Sequence, residues 1–217
     1  RDKEERIRLA CSIVVGTPLT LQAAMDEGAM LLNMTSAEAK TGIEPLYEDE
    51  NEVAQMLEAL LSFFASLSDS EWAHWRRAAY FYLEGVGRST DLSTRALNLF
   101  VFLEMVDESD TLDKNIIADL LHVTQDEGDI IKRTRNILTH QGLGLTGAFR
   151  KAVGEIKQYK DNLENRLFGF AAEDSRDTAV LFFFQFAALL NRIWIEKMEW
   201  EGDWNQYEES LSRAAGE

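Results

Sequence analysis

Near the middle of the chain, Arg135-Asn136-Ile137-Leu138-Thr139-His140 places a guanidinium five positions ahead of an imidazole. Arg offers a planar fork of donors matched to the nonbridging oxygens of a phosphoryl group, and the charge it carries is permanent. His, with an ordinary pKa of about 6.5, gains or gives a proton at neutral pH. Charge stabilisation on phosphorus and proton transfer at oxygen are the two functions that metal-independent RNA cleavage requires. The same residues also have a plain structural reading. Arg135 would pair with a carboxylate on a helix surface, and His140 would satisfy the last carbonyls of a helix and its dipole.

The surrounding charge favours a phosphate-directed site. The chain holds 22 Lys+Arg against 38 Asp+Glu, a net charge of −16, which excludes coating a duplex with the whole surface. Residues 130–170 run the other way: eight cations, including Lys132, Arg133, Arg135, Arg150 and Lys151, face three carboxylates, so the island is +5 and the remainder −21. Lys132 and Arg133, just ahead of the motif, are the candidate contacts for RNA phosphates. No metal and no cofactor is expected. His74, His122 and His140 lie far apart, Cys11 is the one cysteine, and the acidic pairs Glu48/Glu50 and Glu208/Glu209 have no ligand partners at metal-site spacing.

These residues need elements to hold them, and the composition points to helices. Two prolines, 46% hydrophobic and 28% charged residues, with Leu, Ala and Glu recurring, predict an all-α chain. A first helix covers residues 2 to 15, and Thr17-Pro18 reads as the cap of a second through Leu32. After an irregular stretch from Thr35 to Asn51, apolar stripes resume at Val53 to Phe64. Ser68 and Glu71 have capping-box spacing ahead of Trp72, Trp75, Ala79 and Leu83. Leu92 to Val106 and Leu112 to Leu121 follow. Thr124 and Glu127 repeat the box before the motif helix, which should stop near Gly142 and Gly144. Two longer helices are expected over about Thr146–Leu167 and Asp177–Trp200. The domain reading is an N-terminal helical segment over 1–68, a helical bundle over 69–201 and a polar tail over 202–217.

On a regular helix Arg135 and His140 stand about 140° apart in azimuth and ~7.5 Å apart along the axis, so they share no face. A frayed or 3₁₀-tightened last turn at Thr139 and His140 would bring them together. The aromatic stripes Trp72, Trp75, Tyr80, Phe81, Tyr82 and Phe182, Phe183, Phe184, Phe186 are expected to be core, although the second is rich enough to present an apolar face to a partner. The run Val180–Leu190 is interrupted by Gln185 and is short of the ~20 residues of a membrane span. With no stretch that reads as a signal peptide, the expected setting is cytoplasmic, with no membrane partner.

The order of these features resembles the HEPN superfamily of helical domains. Arg135-Asn136, three residues and His140 stand on the last turns of a helix. They follow an upstream apolar helix with a lone acid, Asn98-Leu99-Phe100-Val101-Phe102-Leu103-Glu104, and precede two long helices. The resemblance covers roughly residues 70 to 200. It implies Arg135 and His140 as catalytic, Asn136 as the polar residue beside them, and Glu104 as a possible support. It further implies an endoribonuclease of a defence or toxin-type system, acting as a homodimer with paired motifs, with RNA as substrate and an antitoxin or other defence-system protein as a possible partner. Inactive members of such families make a silent HEPN-like binding or dimerisation module the alternative. A helical regulatory protein using its acidic surface on a basic partner is the third reading.

Overall fold

Ser68 and Thr124 each open a helix as their spacing predicts. Each side chain accepts from the backbone N–H of the glutamate three residues on, and that glutamate accepts from the cap residue's own N–H. Two of the four N–H groups left orphaned at a helix start are thereby satisfied. The computed structural model describes residues 2–15, 19–26, 29–36, 50–87, 91–107, 112–156, 167–168, 170 and 177–199. Among them are eight helices: α1 (Asp2–Val15), α2 (Glu50–Ser66), α3 (Asp69–Val86), α4 (Leu92–Asp107), α5 (Lys114–Leu121), α6 (Gln125–His140), α7 (Leu145–Glu155) and α8 (Thr178–Lys197). The helices make the fold all-α in class, with one two-stranded hairpin among the described residues.

The N-terminal stretch departs from expectation at one place. Instead of a helix through Leu32, β1 (Leu19–Asp26) and β2 (Ala29–Ser36) pair antiparallel, Leu19 opposite Ser36 and Asp26 opposite Ala29. Two residues, Glu27-Gly28, separate the strands. That is the commonest hairpin connection length. The apolar spacing around Leu19, Leu21, Leu31 and Leu32 fits alternation as well as it fits a helix turn, and the pairing of the two segments decides between them.

The chain divides into two compact units, the first built on residues 1–89 with the segment that starts at Trp194, the second on residues 90–193, and the expected polar tail over 202–217 lies outside the described residues. Helix α3, which the sequence groups with the later helices, therefore belongs with the N-terminal segment. In the first unit α1 packs on α2 and α3. Leu9, Ile13, Met56, Leu60, Phe64, Trp72 and Tyr82 are buried there. Trp75 and Tyr82 meet the Trp194 ring at centroid distances of 5.5 and 5.7 Å. Polar contacts tie α1 to α3: Trp72 Nε1 donates to Asp2 Oδ1 at 2.8 Å, and Tyr80 donates to Glu5 at 2.8 Å.

In the second unit α6 packs against α5, α7 and, less extensively, α4. Its core is built from Leu99, Phe100 and Leu103 of α4, Ile117 and Leu121 of α5, Phe149 of α7 and Phe182, Phe183 and Phe186 of α8. The rings of Phe149 and Phe182 pack tilted with centroids 4.5 Å apart, and those of Phe100 and Phe186 at 4.7 Å. Helices α5 and α6 approach so closely at Gly128 that a Cβ there would lie 2.4 Å from the Lys114 carbonyl oxygen. The glycine is what allows that crossing.

One helix length differs from the sequence reading. Helix α7 stops at Glu155, where the Ile156 N–H closes onto Val153 O and Ile156 leaves helical geometry; Gly154, a poor helix former, sits in that last turn. Residues 157–166, the rest of the expected helix, lie outside the described residues. Helix α8 matches its expected span to within three residues at its end. It alone is long and apolar enough to cross a membrane among the described residues, yet 67% of its apolar window is buried inside the protein. Phe182, Phe183 and Phe186 are used by the core.

Candidate active site

Helix α6 carries the motif, and its local sequence fixes both ends. The Thr124–Glu127 box starts it, and Glu127 adds a long-range link by accepting the Leu167 N–H at 3.1 Å through Oε1. Ile130, Ile131, Thr134, Ile137 and Leu138 form the buried stripe, which turns Arg135, Asn136, Thr139 and His140 away from the core. Gln141 is the C-cap, its N–H bonded to Ile137 O at 3.0 Å, and Gly142 at φ +66° takes the left-handed step that ends the helix.

The last turn neither frays nor tightens. Helical geometry and an i→i−4 bond persist through His140, so the imidazole stays about 140° in azimuth from the guanidinium. Thr139 Oγ1 donates to Arg135 O at 2.9 Å, a further tie along this turn. Within one chain the two side chains diverge.

Arg135 is held from two sides. Its Nη2 lies 2.5 Å from Glu104 Oε1 on α4, and its Nη1 donates to Asn136 Oδ1 at 2.9 Å. The first contact is an ion pair, not an aligned hydrogen bond: Glu104 Oε1 is shielded from water and has no directed donor. Both side chains are about a third exposed, 29% for Arg135 and 31% for Glu104, which leaves the guanidinium open on one flank. Asn136 is also partly exposed. His140 is exposed, and among the described residues no hydrogen bond, ion pair or ring contact engages it.

Lys132 and Arg133 are occupied. Lys132 Nζ is 3.5 Å from Asp113 Oδ2. Arg133 Nε lies 3.0 Å from Asp129 Oδ1 one turn back, and its Nη1 is 2.9 Å from Glu155 Oε2 on α7. Asp129 foremost, then Glu155, hold the Arg133 pKa above its ordinary value against the opposing effect of burial. Asp113 is held below the usual carboxylate range, mainly by the Asn115 backbone N–H and further by Lys132. The basic island is therefore largely neutralised where it meets α4, α5 and α7. Its Lys157, Lys160 and Arg166 lie outside the described residues.

Asp129 was legible as the i−4 partner of Arg133. Asp113 and Glu155 were not, because their contacts cross between helices. A third contact between elements lies at the C-terminal end of α6: Lys151 Nζ on α7 donates to Gln141 Oε1 at 2.7 Å, beside His140. Among the described residues no group of three or more His, Cys, Asp or Glu is arranged to hold a metal ion. What the arrangement offers is a permanent cation steadied by a carboxylate and an amide, and an accessible titratable imidazole on the same helix end. The chain matches no protein-family model, no curated protein and no solved structure.

Proposed function

We propose that this protein is a metal-independent, HEPN-like endoribonuclease of a defence or toxin-type system, acting in the cytoplasm. His140 transfers the proton at the 2′-hydroxyl or at the leaving oxygen, and Arg135 stabilises the charge that develops on the phosphorane. Asn136 and Glu104 position the guanidinium. The observation that carries the reading is the Arg135 environment. A surface arginine held 2.5 Å from Glu104 and hydrogen-bonded to Asn136, yet about a third exposed, is pre-oriented with donors to spare for a phosphate.

The divergence of Arg135 and His140 on a regular helix supports a homodimer. A phosphate touched by both groups is more readily bracketed by the guanidinium of one copy and the imidazole of another than by one chain alone. The dimer reading rests on that geometry and not on the Phe-rich helix. An antitoxin or other defence-system protein would be the natural regulator.

The test is cleavage of single-stranded RNA in EDTA by the wild type, Arg135→Ala and His140→Ala. Activity in the wild type alone supports the reading. Equal activity in all three removes the motif from the mechanism.

A second reading, a catalytically silent HEPN-like module, draws on the same ion pair: an arginine already neutralised by Glu104 is what a purely structural role would need. It predicts no wild-type cleavage and partner binding that survives His140→Ala.

A further inference from the structure

Among the cations flanking the motif, those read from the sequence as phosphate contacts are neutralised by carboxylates: Lys132 by Asp113, Arg133 by Asp129 and Glu155. Lys151 differs. It is exposed, and among the described residues its one polar partner is the uncharged side-chain oxygen of Gln141, 2.7 Å away. Gln141 directly follows His140, and the stretch from Thr139 to Gly144 is exposed throughout. The pairs Gln141–Lys151 and Arg133–Glu155 show that α7 runs back along α6, with Lys151 beside the His140 end. Arg133, seven residues before His140, is about 10 Å from it along the helix axis.

We propose that Lys151, oriented by Gln141, is the residue that binds the RNA backbone phosphate next to the scissile one, in place of Lys132 and Arg133. The inference rests on the nuclease reading of the motif. An ammonium whose partner is a neutral amide keeps its full charge for an incoming phosphate. A paired lysine must first give up its carboxylate. The Gln141 oxygen holds the flexible four-carbon stem over the His140 end of the helix and so reduces the ordering needed on binding.

The salt dependence of binding reads this directly, because each phosphate contact on a single strand contributes about 0.7 to the slope of log K against log salt. The probe is a 2′-O-methyl RNA dodecamer, which the chemistry above does not cleave, titrated against the full-length protein by fluorescence anisotropy. Lys151→Ala is expected to lower the slope by about 0.7 and weaken binding, and Lys151→Glu to do so further. Gln141→Ala is expected to weaken binding with the slope retained, since the charge remains. Lys132→Ala is expected to match the wild type in slope. Far-UV circular dichroism checks that each variant is folded. A wild-type slope in Lys151→Ala, with Arg135→Ala still weakening binding, overturns the role of Lys151 and leaves the nuclease reading standing. No binding by the wild type at low salt overturns both.

Discussion

Arg135 on α6 and Glu104 on α4 meet at 2.5 Å, so the motif's permanent cation is fixed by a residue 31 positions earlier in the chain. Because each side chain is about a third exposed, the pair's worth to folding is about 1 kcal/mol or less. Its consequence is orientation of the guanidinium.

Activity and stability should therefore separate at this site. Arg135→Ala and His140→Ala are each expected to reduce RNA cleavage by about 10²-fold or more, while shifting the urea midpoint only slightly. Arg135→Lys should also be poor, because an ammonium keeps the charge but loses the fork. Initial rates on a labelled oligonucleotide, beside equilibrium unfolding curves, check both halves.

Glu104→Gln tests positioning. The amide keeps shape and hydrogen-bonding capacity but frees Arg135 electrostatically, so cleavage should fall through kcat while RNA affinity at low salt holds or rises. Cleavage unchanged in both parameters would show that Asn136 alone suffices to orient the guanidinium.

The α5–α6 crossing should be intolerant of a methyl group. Gly128→Ala forces a Cβ to within 2.4 Å of the Lys114 carbonyl oxygen and is expected to destabilise the fold by about 1–3 kcal/mol. Gly154→Ala is the matched control: no atom lies within 4 Å of its added Cβ, and a gain of about 0.5–1 kcal/mol is expected from helix propensity. Thermal denaturation of the two variants should move in opposite directions.

Three carboxylates set an acid limit. Glu71, Asp91 and Asp113 are each held below their ordinary values, Glu71 foremost by the Ser68 hydroxyl, Asp91 by the Thr94 hydroxyl and Asp113 by the Asn115 N–H. A depressed folded pKa means the unfolded chain takes up protons first as the solution is acidified. Their contribution is thus complete above the ordinary values of 4.5 for Glu71 and 3.8 for the two aspartates, and is lost as pH falls through the lower folded values. Unfolding free energy measured from pH 6 to pH 2 should drop below about pH 4.5, and Asp91→Asn should flatten that drop.

Cys11 reports on the first unit. It is buried in α1, and burial pushes its thiol pKa up, so neither access nor thiolate supports reaction. Labelling by an aromatic disulfide reagent at pH 8 should be slow in the folded protein and rise with urea in step with unfolding. Fast labelling in native buffer would mean that α1 detaches readily.

The amino-acid sequence by itself determined whatever depends on neighbours three or four positions apart. The Ser68–Glu71 and Thr124–Glu127 boxes, the apolar stripe of α6 ending near Gly142, and the outward placement of Arg135 and His140 all follow from helix periodicity and local hydrogen bonding. Only the tertiary structure decided which distant carboxylates meet the cations. Glu104, Asp113 and Glu155 sit on other helices, and which charges face each other follows from how those helices pack, a sum of burial over the whole unit. For the same reason a count of cations overstates the free positive charge at Lys132, Arg133 and Arg135. The Phe-rich helix is another case: composition shows that Phe182, Phe183 and Phe186 must be covered, and packing against Phe100 and Phe149 decides that the chain covers them itself. At Leu19–Ser36 the local signal fitted both a helix and alternating strands, and pairing of the two segments, a contact between residues up to 17 apart, settled it as a hairpin.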